Sequence, residues 1–347
     1  MNGGRWHRFW IRLTHWEFWP TWVVYLPVLC CYPLWALRAG SFYFYANVNP
    51  GMAMGGLYGA SKKDTLDALP DSSKPATLAF EPGTSSATVA SAMKAQELAF
   101  PVIVKPDQGE RGKGIELVHD KAQLDRVVPT HPTPFLVQPY LDLPFEAGVF
   151  YVRMPGEPEG QVTSLVVKGF LTVVGNGKDT VEALAKADKR ALLVWSSMKG
   201  QLAHEAQRVL AEGETLVLES IGNHSRGTAF LDGSHLITPE VVREAERLAG
   251  CIPGFHYGRF DLRAPSEAAF VAGRGWQVLE VNGVNAEPAH IYQEGASLWA
   301  GIRSLVQHWS WACEISRRNR QHNPHVRRRE AIAMCREWRM VKSSRWG

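Results

Sequence analysis

Two stretches decide the fold: Arg259-Phe260-Asp261-Leu262-Arg263 and, after a short gap, Leu279-Glu280-Val281-Asn282-Gly283. Each reads as part of a short apolar strand, Gly258–Leu262 and Trp276–Val281. Residues two apart on a strand share a face, so Glu280 and Asn282 point the same way. Acids set inside apolar strands are costly unless they are paired or bind a cation. Asp261, Glu280 and the amide oxygen of Asn282 are hard ligands suited to Mg²⁺. With Asp261 opposite the other two, the set is expected to hold two ions that bridge phosphates. An edge-strand salt bridge is the competing reading.

Upstream, Phe100-Pro101-Val102-Ile103-Val104-Lys105-Pro106 reads as a buried strand ending in a lysine. A glycine-rich turn follows, Gly109-Glu110-Arg111-Gly112-Lys113-Gly114. Gly109, Gly112 and Gly114 let backbone N–H groups approach phosphate oxygens, and Lys105 adds a compact positive charge. The turn is not a Walker A loop, because G-x-x-x-x-G-K-[ST] is absent. A hairpin closed by glycines is the alternative.

Phe135-Leu136-Val137-Gln138-Pro139-Tyr140-Leu141 reads as a strand running into a hinge whose backbone suits a flat base. Glu146, placed just before a strand Gly148–Arg153, is a candidate for ribose hydroxyls; the bland alternative is a surface acid. Gly222-Asn223-His224-Ser225-Arg226-Gly227-Thr228 is a candidate substrate loop. There Arg226 suits bidentate capture of a carboxylate and His224 suits a base, although polar turns favour the same residue types. Glu287-Pro288-Ala289-His290 leads from the second strand toward the same cleft, with His290 and His256 expected to be structural.

In this order and spacing, Val102-Ile103-Val104-Lys105-Pro106, the loop Gly109–Gly114, the hinge Gln138–Leu141, Arg259-Phe260-Asp261-Leu262 and Leu279-Glu280-Val281-Asn282 resemble the ATP-grasp superfamily. The likeness is to the carboxylate–amine ligases that include D-alanine–D-alanine ligase and cyanophycin synthetase. It covers residues 60–310, and Val174-Gly175-Asn176-Gly177-Lys178-Asp179-Thr180-Val181-Glu182-Ala183-Leu184 is similar to a segment of amide-forming members. The resemblance implies that Lys105 contacts ATP phosphates and that the loop with Gly109, Gly112, Lys113 and Gly114 closes over them. It further implies that Gln138, Pro139, Tyr140 and Leu141 hold adenine and Glu146 the ribose. Asp261, Glu280 and Asn282 would bind Mg²⁺, with two ions expected and Mn²⁺ as a substitute. Arg259 would stabilise the transferring phosphoryl group, and Lys168 is a candidate second nucleotide lysine. Two features depart from the family pattern: Gln138 stands where Glu is common, and the usual front domain is too short.

The surroundings are unusual. Of thirteen Trp, six lie in the first forty residues and five in the last fifty. The net charge of +4 divides into +3 for residues 1–40, +8 for residues 317–347 and −7 between them. Such a partition is not the basic face of a nucleic-acid-binding domain. Basic, Trp-rich ends suit an anionic membrane surface instead. Trp19–Leu37 carries no charge, yet Pro20, Pro27 and Pro33 argue against a spanning helix. The five cysteines form no C-x-x-C pair, which suits a reducing compartment.

Elsewhere the pattern predicts a strand at Phe42–Val48, a helix Lys62–Leu69 capped by Ser61, and a helix at Met93–Ala99. Further helices are predicted at Lys121–Val127, Pro239–Ala249 and Ser297–Ile315, with 181–213 mostly helical. Ile115–Val118, Ser164–Val174, Thr215–Leu218 and Ala229–Leu231 complete the strands.

The expected fold class is α+β: an ATP-grasp fold of two α+β subdomains gripping ATP. Its expected divisions are a Trp-rich arm (1–40), a reduced N-terminal α/β segment (41–76), the ATP-grasp domain (77–310) and a basic helical tail (311–347). The expected activity is ATP-dependent ligation of a carboxylate to an amine, on small or lipid-linked substrates. A kinase-like transfer to a hydroxyl and a non-catalytic, membrane-tethered nucleotide-binding scaffold are the alternatives. Peripheral or monotopic contact with the cytoplasmic face of the inner membrane is expected through residues 1–40 and 317–347; otherwise the protein is expected in the cytoplasm. No nucleic-acid partner is expected, and a homodimer is compatible with the sequence.

Overall fold

The computed structural model describes residues 3–109, 114–200, 202–219, 227–323, 326 and 328–343. Three helices come first: α1 (Gly3–Thr14), α2 (Thr21–Val24) and α3 (Leu26–Ala39), the last containing Pro33. Gly40 ends α3 with φ of 74°, the left-handed stop that glycine adopts without steric cost. Among the described residues no helix is long and apolar enough to cross a membrane. The short α4 (Lys62–Asp67) starts where the Ser61 hydroxyl accepts from the Asp64 N–H, as its N-cap pattern predicts.

The first sheet combines β1 (Leu78–Phe80), β2 (Val102–Pro106), β3 (Glu116–Val118) and β4 (Phe135–Pro139) in the order β1-β4-β2-β3, all antiparallel. Helices α5 (Ser86–Ala95) and α6 (Lys121–Val127) cover one face, burying Val89, Met93 and Leu124 against Val102, Val104 and Val137.

The second sheet is larger. It takes β5 (Phe145–Val152), β6 (Gln161–Gly169) and β9 (Ala229–Asp232) together with β10 (Tyr257–Ala264) and β11 (Gln277–Asn282), in the order β11-β10-β5-β6-β9. A separate hairpin pairs β7 (Leu171–Val174) with β8 (Thr215–Glu219), covered by α7 (Val181–Ala187) and α8 (Lys189–Met198). Helix α9 (Pro239–Cys251) begins at Thr238, whose hydroxyl caps Val241 N–H ahead of Pro239. It packs Val241, Ala245 and Leu248 on the second sheet, and α10 (Glu267–Val271) seals its edge with Phe270. The long α11 (Leu298–Asn319) runs against α3, and α12 (Arg328–Ser343) turns Ala331 and Met334 toward the core around Tyr45 and Val48.

The architecture is therefore mixed α and β with antiparallel sheets. Several local expectations are corrected. Phe42–Val48 is not a strand: Phe44–Asn47 forms a 3₁₀ turn whose four residues are all buried, so tertiary packing overrides the β propensity of its aromatics. Glu146 lies inside β5, not before it. Ser164–Val174 splits at Phe170 into strands of two different sheets. The helical region ends at Met198, and the helix expected at Met93–Ala99 starts earlier, at Ser86.

Candidate active site

The two sheets face one another across a cavity of about 1080 Å³. Strand alternation supplies its charges. On β10, Arg259, Asp261 and Arg263 line the cavity, while Phe260, Leu262 and Ala264 face α9 and the core. On β11 the pairing slips, so that Asp261 opposes Glu280 but Leu262 opposes Val278. Glu280 and Asn282 share the cavity side by alternation, and the bulge lets Val278, two residues before Glu280, sit in the core instead.

Lys105 reaches across from β2, and its ammonium donates to the Leu279 carbonyl of β11 at 2.9 Å. A side chain of the first sheet is thereby hydrogen-bonded to the backbone of the second. Burial pushes Lys105 down to about 8, partly offset by the Glu280 carboxylate. Lys62, at the start of α4, donates to the carbonyls of Asp107 and Gly109 at 3.2 and 3.0 Å and lies 3.3 Å from Glu280. It joins the base of the glycine loop to β11.

The centre of the site is an ionic network on β5, β6 and β10. Lys168 is buried, 3.1 Å from Glu146 and 3.2 Å from Asp261. Arg263 donates through Nε to the other Glu146 oxygen at 2.8 Å, and through Nη1 to the Leu141 carbonyl of the hinge. Its guanidinium lies 5.4 Å from the Tyr140 ring and 5.3 Å from the Phe170 ring. Arg259 grips Asp261 in bidentate fashion, at 3.0 and 2.9 Å, and also reaches the Glu287 carbonyl. Burial acts to raise Asp261, but Arg259 and then Lys168 outweigh it and hold the carboxyl at about 2. Burial acts to lower Lys168, but Asp261 and Glu146 outweigh it and the net direction is upward.

The hinge meets the same cavity. Gln138 is buried, its side-chain amide donating to Thr77 at 2.8 Å. Pro139, Tyr140 and Leu141 line the wall beside it. Gly109 lines the cavity, and Gly114 holds a φ of 73°, where glycine is favoured. Gly112, Lys113, His224 and Arg226 lie outside the described residues. Glu287 lines the cavity, but His290 does not; its ring pairs with Ser164 at 2.6 Å. His256 is also away from the cavity and is pushed down to about 4 by burial and by Arg153.

The donors differ in how they suit a divalent cation. Asp261 already accepts four contacts: Arg259 and Lys168 on Oδ1, Arg259 and Asn282 on Oδ2. A carboxylate offers about four lone-pair sites, so Asp261 would have to release a cation to bind a metal. Asn282 donates through Nδ2 to Asp261, and its carbonyl oxygen and a Glu280 carboxylate oxygen belong to side chains that line the cavity. These two oxygens fit Mg²⁺, which binds through one or two carboxylates plus phosphates and keeps much of its water.

Sequence reasoning passed over Lys62, Arg263 and Arg190. Arg263 shares the face of Arg259 and Asp261, and the period of two alone would have found it. Arg190, on α8, lines the far end of the cavity and pairs with the buried Glu17 of the arm at 2.6 Å. No short-range pattern joins residues so far apart.

Several solved structures match the chain, each with a TM-score below 0.5. A bifunctional glutathione synthetase from Pasteurella multocida matches over 71% of this chain and 36% of its own, at 18% identity and a TM-score of 0.39. A D-Ala:D-Ser ligase from Enterococcus faecalis matches over 72% and 61%, at 15% identity and a TM-score of 0.39. A D-alanine–D-alanine ligase from Bacillus anthracis, complexed with ATP, matches over 75% and 67%, at 12% identity and a TM-score of 0.43. The chain thus spans about a third of the first enzyme's length and about three fifths of the second's. No protein-family model matches the chain, and no curated protein does.

Proposed function

We propose that this chain is an ATP-dependent ligase that activates a carboxylate as an acyl phosphate and joins it to an amine. The observation that carries this reading is the charge of the cavity. Seven basic and five acidic side chains line it, an excess of two positive charges, with a glycine-edged loop at one side. Cations lining a cavity in excess of its carboxylates suit a polyanion that enters and completes the pairing.

In this reading the triphosphate lies between Lys105 and Lys168, and adenine lies against the backbone of Gln138–Leu141. Each oxygen of Glu146 keeps a lone pair for ribose beyond its contact with Lys168 or Arg263. Glu280 and Asn282 would hold Mg²⁺, which would supply neutralisation of phosphate charge. Arg259, already placed beside Asp261, has a guanidinium suited to the transferring phosphoryl group. Catalysis is then mainly positioning and charge stabilisation. The acyl phosphate must be shielded from water, a task for the loop 109–114 and for the wall that the arm supplies.

The cavity exceeds the common range of about 300–1,000 Å³ for small-molecule sites, leaving space for a second substrate beside the nucleotide. The test is ADP release across a panel of carboxylate and amine pairs, with mass spectrometry of products. An amide product supports the ligase; a phosphorylated acceptor without amide assigns a kinase instead. Unchanged nucleotide turnover in Asp261→Asn and Glu280→Gln would reject the catalytic assignment altogether.

A further inference from the structure

Helices α1 and α3 turn apolar stripes outward. On α1, Trp6, Phe9, Trp10 and Leu13 are all more than half or about half exposed, at the spacing of one helical face. On α3, Leu26, Leu29, Leu34 and Leu37 form the outer stripe, with Leu37 79% exposed. The opposite side of α3 is already satisfied: Val28, Trp35 and Ala39 pack on Leu305 and Cys313 of α11. Trp22 and Phe42 extend the surface. Of fifteen large, exposed apolar side chains among the described residues, ten lie between Trp6 and Phe42. Scattered exposed leucines need no explanation, but a concentration on two adjacent helices marks a binding face.

The charges say what covers it. The arm's one acid, Glu17, is buried against Arg190, whereas Arg12 and Arg38 stay exposed beside the apolar stripes. An outer face of Trp, Phe and Leu with exposed Arg12 and Arg38 beside it, Arg38 also contacting Glu314, complements an anionic lipid surface. Among the described residues no helix is long and apolar enough to span a membrane. We propose that residues 6–42 seat the protein on an anionic bilayer, and that the cavity beneath them takes an amphiphile with an apolar chain and a carboxylate or amine head.

The second half follows from the arm's inner side and rests on the ligase reading. Phe18, Trp19, Val24 and Tyr25 line the cavity, facing Leu193 and Val194 of α8. The same segment therefore touches the bilayer on one side and walls the cavity on the other. Within that apolar end, Arg190 pairs with Glu17 through one terminal nitrogen, and its other, Nη1, is buried without a hydrogen-bond partner among the described residues. A chain lying along the apolar wall would bring a polar head to this guanidinium.

Vesicle flotation of the full chain tests the docking half, with phosphatidylcholine alone and with added phosphatidylglycerol. The wild type should float with anionic vesicles. Leu29→Glu/Leu34→Glu/Leu37→Glu should lower partitioning by about tenfold or more while circular dichroism and affinity for an ATP analogue stay unchanged. A wild type that stays in the soluble fraction, or a triple variant that floats equally well, overturns docking. So does a dimer, seen by light scattering, that the same substitutions dissolve. Binding of a fluorescent long-chain carboxylate tests the cavity half. Saturable binding weakened by Val24→Trp supports it, and no binding, or binding indifferent to Val24→Trp, overturns it. Neither readout uses turnover, so a chain that binds vesicles and the probe but forms no amide rejects the ligase reading alone.

Discussion

Lys105 offers the sharpest quantitative test of the nucleotide site. Its ammonium is buried, hydrogen-bonded to Leu279, and held at about 8 because desolvation outweighs the attraction of Glu280. Only the protonated form donates to a phosphate oxygen with a full charge. Affinity for an ATP analogue should therefore be complete below about 8 and fall as pH rises through that value. From the protonated fractions at pH 7 and pH 9, the expected loss is about tenfold, or about 1.4 kcal/mol. Phosphate groups with second ionisations near about 6 do not change charge over this range. Stability moves the other way. The folded pKa lies below the unfolded one, so the unfolded chain binds more protons between them, and the folded state gains stability as pH rises from about 8 toward about 10.4. Weaker binding at pH 9 would thus not be unfolding. The assay is isothermal titration calorimetry of a non-hydrolysable ATP analogue without divalent metal, in buffers of different ionisation enthalpy. It should also detect uptake of about half a proton on binding at pH 8. Lys105→Met should bind weakly at both pH values with no such slope. Equal wild-type affinity at pH 7 and pH 9, or the same slope in Lys105→Met, would refute the reasoning.

Glu146→Gln leaves Lys168 and Arg263 without their shared buried carboxylate and should cost about 3–5 kcal/mol, read as a lower urea midpoint; an unchanged midpoint contradicts the network. Arg263→Lys keeps the charge but loses the fork that holds Glu146 and Leu141 and the stacking on Tyr140 and Phe170. ATP-analogue affinity should drop about tenfold, and a wild-type value would separate Arg263 from the hinge. Gly258→Ala places a methyl 2.1 Å from the Asn282 carbonyl, so β10 and β11 must part. A stability loss of about 1–3 kcal/mol by thermal unfolding is expected, and none would mean the sheet absorbs the contact freely.

The site was legible where chemistry follows strand period. Asp261, Glu280 and Asn282 could be placed on one face because alternation is local and the apolar partners Phe260 and Val281 mark the other face. Lys105 was legible for the same reason, as a cation closing an apolar run. Glu146 was misplaced because β5 is buried on both faces, and an acid inside such a run reads as its boundary. Lys168 looks like a solvated strand end in sequence; it is buried because Glu146 and Asp261 come from other strands to meet it. The aromatic run at Phe42–Val48 has the composition of a strand, and only the neighbouring Tyr32 and Trp309 rings explain why Phe44 is buried in a turn.

The arm is where sequence and structure together say more than either alone. The described residues 41–76, expected to be an α/β segment, contain no strand. The helices of residues 1–40 are anchored by Trp16 donating to Ala296 at 2.7 Å and by Glu17 on Arg190. Because α3 buries Val28, Trp35 and Ala39 against α11, deleting residues 1–40 would expose Leu305 and Cys313 and remove one wall of the cavity. Such a deletion would lose vesicle binding, substrate binding and stability at once, whichever face of the arm mattered. Substitutions confined to Leu29, Leu34 and Leu37 leave the inner contacts in place. They ask about the outer face, since these side chains are more than half exposed and are not among those lining the cavity.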